Sequence, residues 1–302
     1  MALPSSGQLS LSDIANEQEI ALSNVSLRSM SSTAGFTTPD SVSEFYDYAY
    51  KYYWDLSNDI KWDTATDKPL QSNTESFSAS LWIRPQWAAT DLNLIIFDLT
   101  PSGTTSTANR FFLQYDYGLN AFVARYRSSS TNFTRRWALH SNNDATGTGT
   151  SSTNYWTSSN RGDTNSDGFV HLFLVYDASQ SSPTDAFKLY WNATELRTTL
   201  SSDSGTRSNM TLDELTFCGN DHNTSGSRIA DYMFMYMWDD TTAIGEISTM
   251  YNSGSPISAD DAGYTTNLIF GDRSNSVPSV NDSDESGNYQ FAAANGQSVV
   301  AL

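Results

Sequence analysis

The chain has 302 residues, with 16 basic and 34 acidic side chains, a formal net charge of −18 and an isoelectric point near 4.3. This charge balance argues against a nucleic-acid-binding protein, which needs a basic surface to displace counterions from phosphates, and against adhesion to an anionic membrane. Aromatic residues make up 13% of the sequence, which is enough for a sizeable core, so we do not expect an intrinsically disordered chain.

The cysteine content and the apolar runs argue against three further classes: disulfide-stapled, secreted and membrane-spanning proteins. Cys218 is the only cysteine, which excludes an intrachain disulfide. The N-terminus lacks a basic start followed by an apolar stretch, so we expect no secretory signal peptide. The longest apolar runs, such as residues 232–238, are much shorter than the ~20 residues of a membrane helix. We therefore expect assembly in the cytoplasm and no membrane insertion.

Residues 1–50 differ in pattern from the rest of the chain. Two helix starts are predicted, at Ser12-Asp13 and at Ser41, where Glu44 completes a capping-box pattern. Each segment is too short to be a stable helix by itself. Two interpretations remain open: a flexible leader, or a docking arm that orders on a partner. The apolar residues predicted to grip that partner are Leu9, Leu11, Ile14, Ile20, Phe45 and Tyr46.

From about residue 55 the hydrophobic period changes to two, which is typical of strands. Residues 76–83 alternate strictly, with Phe77, Leu81 and Ile83 on one face. Further strands are predicted at 92–99, 110–116, 121–127, 135–139, 169–177, 187–192, 212–218 and 229–238. A long polar loop occupies residues 141–168, and residues 241–251 have the period of a helix. Many short strands separated by turns predict an all-β sandwich or jelly roll.

Four segments also resemble a known family in their order along the chain. They are SFSASLWIRP (76–85), DGFVHLFLVYD (167–177), KLYWNATEL (188–196) and the run from LTFCGN to MYNSG (215–254). Together they resemble the laminin-G-like jelly rolls of the concanavalin A type. The resemblance implies a concanavalin A-like β-sandwich over residues 55–255. The remaining residues, 256–302, then form a C-terminal extension, which in one interpretation packs back on the sandwich.

The two ends of the chain carry a second resemblance. MALPSSGQLSLSDIANE (1–17), SVSEFYDY (41–48) and the tail from GDRSNS to GQSVV (271–300) resemble segments of structural proteins from marine tailed bacteriophages. Glu44 and Asp47 depart from that pattern, which usually has Asp and Gly at these positions. The resemblance implies a virion protein present in many copies or as a homo-oligomer. Its partners would be tail, baseplate or capsid proteins.

One segment of the polar loop resembles half of a calcium site. Asp163, Asn165 and Asp167, followed by Gly168, match the alternating oxygen ligands of a calcium loop. The twelfth position is Leu174 instead of a glutamate, which excludes an EF-hand. Two interpretations remain open, a looser calcium site at the rim of the sandwich and a polar turn without metal. Calcium is the only cofactor that the sequence suggests.

Glycan binding by such a fold requires aromatic platforms and planar polar side chains at its rim, because these suit the two faces of a sugar ring. The candidates are Tyr155, Trp156, Asn160 and Arg161 in the long loop, and Asp221, His222 and Asn223 after the predicted Gly-Asn turn. The alternative is that the aromatic residues belong to the core or to cross-strand pairs, as is usual in all-β proteins.

The sequence offers no pattern for catalysis. A glycosidase needs two carboxylates at a defined separation, but Glu195, Glu214 and Glu246 occur singly. There is no Gly-x-Ser-x-Gly motif for a nucleophile. We therefore predict a non-enzymatic virion structural protein, docked by its N-terminal arm and displaying a lectin-like jelly roll for tail-fibre adhesion to host-surface polysaccharide. The alternatives are a capsid decoration protein and, as a third interpretation, a polysaccharide-degrading enzyme.

Overall fold

Two antiparallel sheets of eight strands each enclose one core in the computed structural model. The structure describes residues 3, 6–18, 22–23, 25–33, 41–45, 52–56, 60–64, 75–87, 94–101, 109–128, 131–139, 156–162, 164–197, 199–207, 210, 212, 214–217, 230–238, 245, 247–254, 268–270, 289–294 and 297–301. The predicted all-β sandwich is confirmed by this two-sheet architecture.

The strands are short and follow one another closely along the chain. They are β1 (Tyr52–Leu56), β2 (Ile60–Thr64), β3 (Phe77–Pro85), β4 (Leu94–Thr100), β5 (Arg110–Asp116), β6 (Ala121–Ser128), β7 (Thr131–Ala138), β8 (Val170–Tyr176), β9 (Phe187–Trp191), β10 (Thr194–Glu195), β11 (Thr199–Ser204), β12 (Glu214–Phe217), β13 (Ala230–Trp238), β14 (Leu268–Phe270), β15 (Tyr289–Ala294) and β16 (Gln297–Ala301). The helices are α1 (Leu11–Glu17), α2 (Leu27–Thr33), α3 (Pro183–Ala186) and α4 (Ile247–Tyr251), and 3₁₀ turns occupy Val42–Phe45, Tyr117–Leu119 and Asn252–Gly254.

Some consecutive strands lie in different sheets, whereas β4–β7 and β8–β10 stay within one sheet. Sheet A has the order β10-β9-β8-β3-β13-β1-β16, with β14 also paired to β13. Sheet B has the order β11-β7-β6-β5-β4-β12-β2-β15. Three consecutive strands, β5, β6 and β7, form hairpins in the middle of sheet B. The candidate functional site lies on these three strands.

The C-terminal segment contributes strands to both sheets. Strand β14 pairs with β13 and β16 with β1 in sheet A, whereas β15 pairs with β2 in sheet B. The sandwich therefore includes strands beyond residue 255, where the family resemblance ends.

The core lies between the sheets and consists largely of aromatic rings. Alternation in β3 points Phe77, Leu81 and Ile83 inward, as the sequence predicts. The largest side chains with almost no exposed surface are Trp82, Trp87, Trp137, Trp156, Trp191, Tyr115, Tyr126, Tyr176 and Tyr232. Burying each such ring removes 150–250 Å² or so of surface from water, so these residues dominate the stability of the sandwich.

The N-terminal residues form a small apolar cluster of their own. It contains Leu3, Ile14, Ala15, Met30 and Phe45, with Leu9, Val25, Leu27 and Val42 packed against it. Helix α1 begins after Ser10, two residues before the predicted start at Ser12. Ser10 Oγ accepts a hydrogen bond from the Asp13 amide at 3.1 Å, and Asp13 Oδ2 accepts one from the Ser10 amide at 2.7 Å. Hydrogen bonds to the Asp13 carboxylate from the Ser10 hydroxyl at 2.6 Å and from the Ser10 amide lower the pKa of Asp13.

This cluster uses three of the six apolar side chains that were predicted to grip a partner. Ile14 and Phe45 are buried within it, and Leu9 is partly buried against it. Leu11 remains 42% exposed. Ile20 and Tyr46 lie outside the described residues. Within the described ranges, no helix is long and apolar enough to cross a membrane.

Candidate functional site

The outer face of sheet B, on the side away from the core, collects four arginines. Strand alternation puts Phe111, Phe122 and Phe133 into the core, so their neighbours point outward. We call this surface the arginine face and define it by Arg110 and Phe112 on β5, Arg125 and Arg127 on β6, and Asn132 and Arg136 on β7.

The strand register brings these side chains together. Arg110 is directly opposite Arg127, Arg127 is opposite Asn132, and Phe112 is opposite Arg125. Directly opposed residues have Cβ atoms about 5 Å apart, which is within reach of each other's side chains. The register is set in part by the turn between β5 and β6, where Asn120 adopts a φ of 46°. The face is therefore built by two hairpins, and each contributes arginines.

Phe112 lies beneath two of the guanidinium groups. The Cζ atom of Arg110 is 4.3 Å from the ring centroid of Phe112, and that of Arg125 is 5.3 Å away. Such contacts hold the flat guanidinium groups near the ring through its negative face. Phe112 itself is only 2% exposed, so it supports the arginines instead of offering its ring to a ligand.

Only two of the four arginines have an acidic partner among the described residues. Arg110 Nε lies 3.5 Å from Asp98 Oδ1, and Arg136 Nη2 lies 3.1 Å from Asp203 Oδ2. The contact found for Arg125, apart from the ring, is a hydrogen bond from Nε to Thr134 Oγ1 at 3.1 Å.

Arg127 and Asn132 have unused hydrogen-bonding atoms. Within the described part of the chain, the buried Nε of Arg127 has no hydrogen-bond partner, and neither does the buried Oδ1 of Asn132 on the opposite strand. Both residues are partly buried. A buried donor and a buried acceptor on directly opposed residues are therefore left unsatisfied by the described part of the chain.

The electrostatics of the face reflect this crowding. Burial lowers the pKa of Arg125, and repulsion from Arg136 lowers it further, although Asp203 acts in the opposite direction. Burial also lowers the pKa of Arg110, which Asp98 raises again and Arg127 lowers. The guanidinium groups thus destabilise one another's charged forms, and an added negative charge would relieve this repulsion.

The structure places the glycan residues predicted in the long loop elsewhere. Trp156 is a core residue with no exposed surface, so its ring is not available as a sugar platform. It lies 4.9 Å from Trp87, 5.2 Å from Trp191 and 5.6 Å from Tyr115, measured between ring centroids. Its Nε1–H donates to the Arg161 carbonyl oxygen at 3.0 Å.

The other predicted glycan residues are not brought together with the arginine face. Asn160 closes a tight turn with Thr157, whose amide donates to the Asn160 carbonyl at 3.0 Å. Asn160 and Arg161 are partly buried. The remaining residues of this prediction, Tyr155, Asp221, His222 and Asn223, lie outside the described residues.

The predicted calcium loop contains a turn held by an asparagine. Asn165 Oδ1 accepts hydrogen bonds from the amides of Asp167 at 3.0 Å and Phe169 at 2.9 Å, and Gly168 has a φ of 82°. Asp163 lies outside the described residues. Among the described residues, no group of three acidic, histidine or cysteine side chains is placed to hold a metal ion. The geometry of Asn165 matches the polar-turn interpretation, and calcium stays a prediction.

A buried serine–histidine pair lies on the opposite side of sheet A from the core. Ser80 Oγ is 2.8 Å from His171 Nε2, and the His171 ring lies in tilted contact with Trp82 at 5.1 Å and stacked contact with Tyr251 at 6.1 Å, measured between ring centroids. His171 has no exposed surface and Ser80 only 1%. This pair is sealed from solvent, so its contribution is to packing.

The buried imidazole makes stability depend on pH. Burial lowers the pKa of His171 from 6.5 to about 3, so the folded protein keeps it neutral whereas the unfolded chain binds a proton below about pH 6.5. The stability from this group is thus fully present above pH 6.5 and falls by up to about 1.4 kcal/mol per pH unit as the pH drops towards 3. We expect His171→Gln to remove this part of the slope between pH 6.5 and 4.5, measured by urea unfolding. Parallel curves for the two proteins would contradict the assignment.

Comparison with known proteins is limited to structural similarity. No protein family and no curated protein sequence matches this chain. A proposed carbohydrate-binding protein from Bacteroides ovatus is 13% identical with a TM-score of 0.47, over 84% of this chain and 60% of that one. The binding domain of Paraclostridial Mosquitocidal Protein 1 is 16% identical with a TM-score of 0.40, over 66% of this chain and 42% of that one.

A pentraxin gives a similar result. The heptameric SAP-like pentraxin from Limulus polyphemus is 9% identical with a TM-score of 0.40, over 67% of this chain and 82% of that one. This chain thus spans less than half of the mosquitocidal protein's domain and most of the pentraxin. These similarities are weak and do not identify a ligand for this chain.

Proposed function

We propose that this chain is a non-enzymatic adhesion protein of a phage particle, whose β-sandwich binds glycans on a host surface. The observation that carries the glycan-binding part is the arginine face. There, Arg125, Arg127, Asn132 and Arg136 are partly exposed and present planar polar groups on one surface. Sugar hydroxyls both donate and accept hydrogen bonds, so neighbouring guanidinium and amide groups suit them.

The proposal includes no catalytic step. The two acidic residues of sheet B that lie next to the arginine face, Asp98 and Asp203, are each paired with an arginine. Both carboxylates are engaged by arginines across the sheet, so they are not placed as a pair facing a sugar. This arrangement supports binding in preference to hydrolysis.

The virion part of the proposal rests on the resemblance of the chain ends to phage structural proteins. The separate apolar cluster at the N-terminus supports it, since an arm with its own small core can present side chains to a neighbour. Display in many copies would convert weak binding by each sandwich into strong attachment. Whether the copies sit on tails or on capsids is an outcome of fractionating particles and quantifying the chain in heads and in tails.

The glycan-binding part is tested by passing the purified chain over a panel of neutral and acidic polysaccharides. We expect binding to at least one of them and its loss when the arginine face is altered. The matched control is Arg197→Gln, because Arg197 is an arginine with 83% of its side chain exposed and lies outside the arginine face. A chain that binds no polysaccharide would contradict the proposed function.

The docking part is tested on the exposed leucines of the arm. Leu11 is 42% and Leu22 58% exposed, so we expect Leu11→Ser with Leu22→Ser to leave the melting temperature unchanged but to lower incorporation into particles several-fold, measured by mass spectrometry. The control is Leu119→Ser, a leucine 49% exposed in the β5–β6 turn, which should not affect incorporation. Equal incorporation of all three proteins would refute docking through these leucines.

A further inference from the structure

The positive charge of this acidic chain is distributed unevenly. The sequence has only 16 basic residues and a net charge of −18, yet four arginines lie on one face of three neighbouring strands. The fifth arginine of these strands, Arg135, points to the core side, where it donates to the backbone carbonyls of Thr184 and Phe187. Arg135 therefore has a structural role on the core side and is not part of the arginine face.

The arrangement within the face is unfavourable for the isolated protein. Arg110 and Arg127 are directly opposed on adjacent strands, and like charges in that position destabilise a sheet. Asp98, whose carboxylate is fully buried, compensates Arg110. Arg127 has no acidic partner within the described part of the chain, and its Nε is buried without a hydrogen bond. A partly buried cation without a counter-charge is costly, so a ligand that supplies negative charge gains binding energy here.

The geometry of the donors indicates what kind of negative group fits. A guanidinium group is a rigid planar fork, and it pairs with two oxygens of a carboxylate or of a sulfate ester. Arg110 and Arg125 are held over the Phe112 ring, so their planes are fixed before a ligand arrives. Asn132, opposite Arg127, places a partly exposed side-chain amide beside these guanidinium groups.

We infer that the arginine face binds an acidic glycan through its carboxylate or sulfate groups, with Arg125 and Arg127 as the principal contacts. This inference rests on the proposed function, since it specifies the chemical class of the glycan. Arg110 and Arg136 already have acidic partners, so they contribute position and local field. The overall charge of −18 repels any polyanion at long range, so recognition depends on this local patch.

The experiment is calorimetric titration of the full chain with three polysaccharides. These are polygalacturonate for the carboxylate, dextran sulfate for the sulfate, and dextran as the neutral probe. A single-stranded thymidine oligonucleotide tests whether any polyanion suffices. We expect the chain to bind polygalacturonate, dextran sulfate or both. We expect it to bind neither dextran nor the oligonucleotide.

The variants assign that binding to the arginine face. We expect the double variant Arg125→Gln with Arg127→Gln to weaken binding of the acidic glycan roughly tenfold or more, because two charged hydrogen-bonding groups are lost. Arg197→Gln should bind as tightly as the unaltered chain. The double variant Arg125→Lys with Arg127→Lys keeps the charge and removes the planar fork, so its affinity should be intermediate. It also keeps the test valid if the glutamine variant fails to fold.

The outcomes separate this inference from the proposed function. Binding to dextran alone would overturn the acidic ligand and leave glycan binding intact. Equal binding of the oligonucleotide, or equal losses in Arg197→Gln and in the double variant, would overturn specific recognition by the arginine face. The absence of binding to all three polysaccharides and to a wider glycan panel would overturn the proposed function as well.

Discussion

Replacing Trp156 by alanine is expected to lower the free energy of unfolding by about 3–5 kcal/mol, which is the usual cost of removing a fully buried tryptophan. Trp156 has no exposed surface and makes edge or tilted contacts with Trp87, Tyr115, Phe122 and Trp191. It also connects separate parts of the chain by hydrogen bonds. Its backbone amide donates a hydrogen bond to Tyr115 Oη at 2.9 Å.

Two controls separate the ring from its polar contact. Trp156→Phe keeps an aromatic ring but loses the Nε1–H bond to the Arg161 carbonyl, and it should cost about 1–3 kcal/mol. Leu119→Ala, at a leucine 49% exposed, should change stability by less than about 0.5 kcal/mol. Urea unfolding monitored by circular dichroism measures all three. A loss near zero for Trp156→Ala would show that Trp156 is not part of the core.

Removing the carboxylate of Asp231 is expected to cost about 3–5 kcal/mol, because it leaves Arg84 without its partner in a partly buried site. Asp231 is fully buried and is directly opposite Arg84 on β3. Its Oδ2 accepts hydrogen bonds from Arg84 Nε at 2.6 Å and from Gln86 Nε2 at 2.5 Å. Arg84 also lies 4.6 Å from the centre of the Phe169 ring, so its position is fixed from both sides.

A double variant distinguishes the value of the pair from the cost of breaking it. Asp231→Ala alone should be strongly destabilising. Asp231→Leu combined with Arg84→Met removes both charges, and its loss of stability should be much smaller than that of Asp231→Ala. The measurement is again the free energy of unfolding in urea. If the double variant were as unstable as Asp231→Ala, the desolvated charge of Arg84 would not be the cause of the loss.

The alternation of the sequence predicts most of the sandwich. Strand β5 occupies Arg110–Asp116, which agrees with the predicted range 110–116, because its inward residues are all large and apolar. Strand β7 begins at Thr131, four residues before the predicted start at 135, since Thr131 and Asn132 are polar. Strand β11, with the sequence TLSSDS, was not predicted. It pairs with β7 alone, and an edge strand of this composition lacks the hydrophobic period on which the prediction depends.

The candidate site could not be predicted, for a different reason. Arg125 and Arg127 are two residues apart, which in a half-buried strand indicates only an outward face. A cluster of arginines becomes recognisable only when the strand register places Arg110 and Arg136 beside them. That register depends on turn geometry. The signal available in the sequence was the concentration of arginines between residues 110 and 136 in a strongly acidic chain.

For Trp156 the sequence suggests an exposed site residue, whereas the structure buries it in the core. It follows a stretch of serine, threonine and asparagine, so its surroundings in the sequence suggest an exposed loop. The rings that bury it are far from it in sequence. They belong to Trp87, which follows β3, Tyr115 on β5, Phe122 on β6 and Trp191 on β9. Local composition therefore predicts exposure where long-range packing decides the outcome.

The most direct test of the arginine face as the glycan-binding surface is nuclear magnetic resonance of the arginine Nε–Hε groups during titration with a short acidic oligosaccharide. The prediction is that the signals of Arg125 and Arg127 shift with increasing ligand while that of Arg197 stays in place. Shifts confined to Arg161 and the backbone of residues 156–162, with Arg125 and Arg127 unchanged, would contradict it and locate the binding surface at the loop instead.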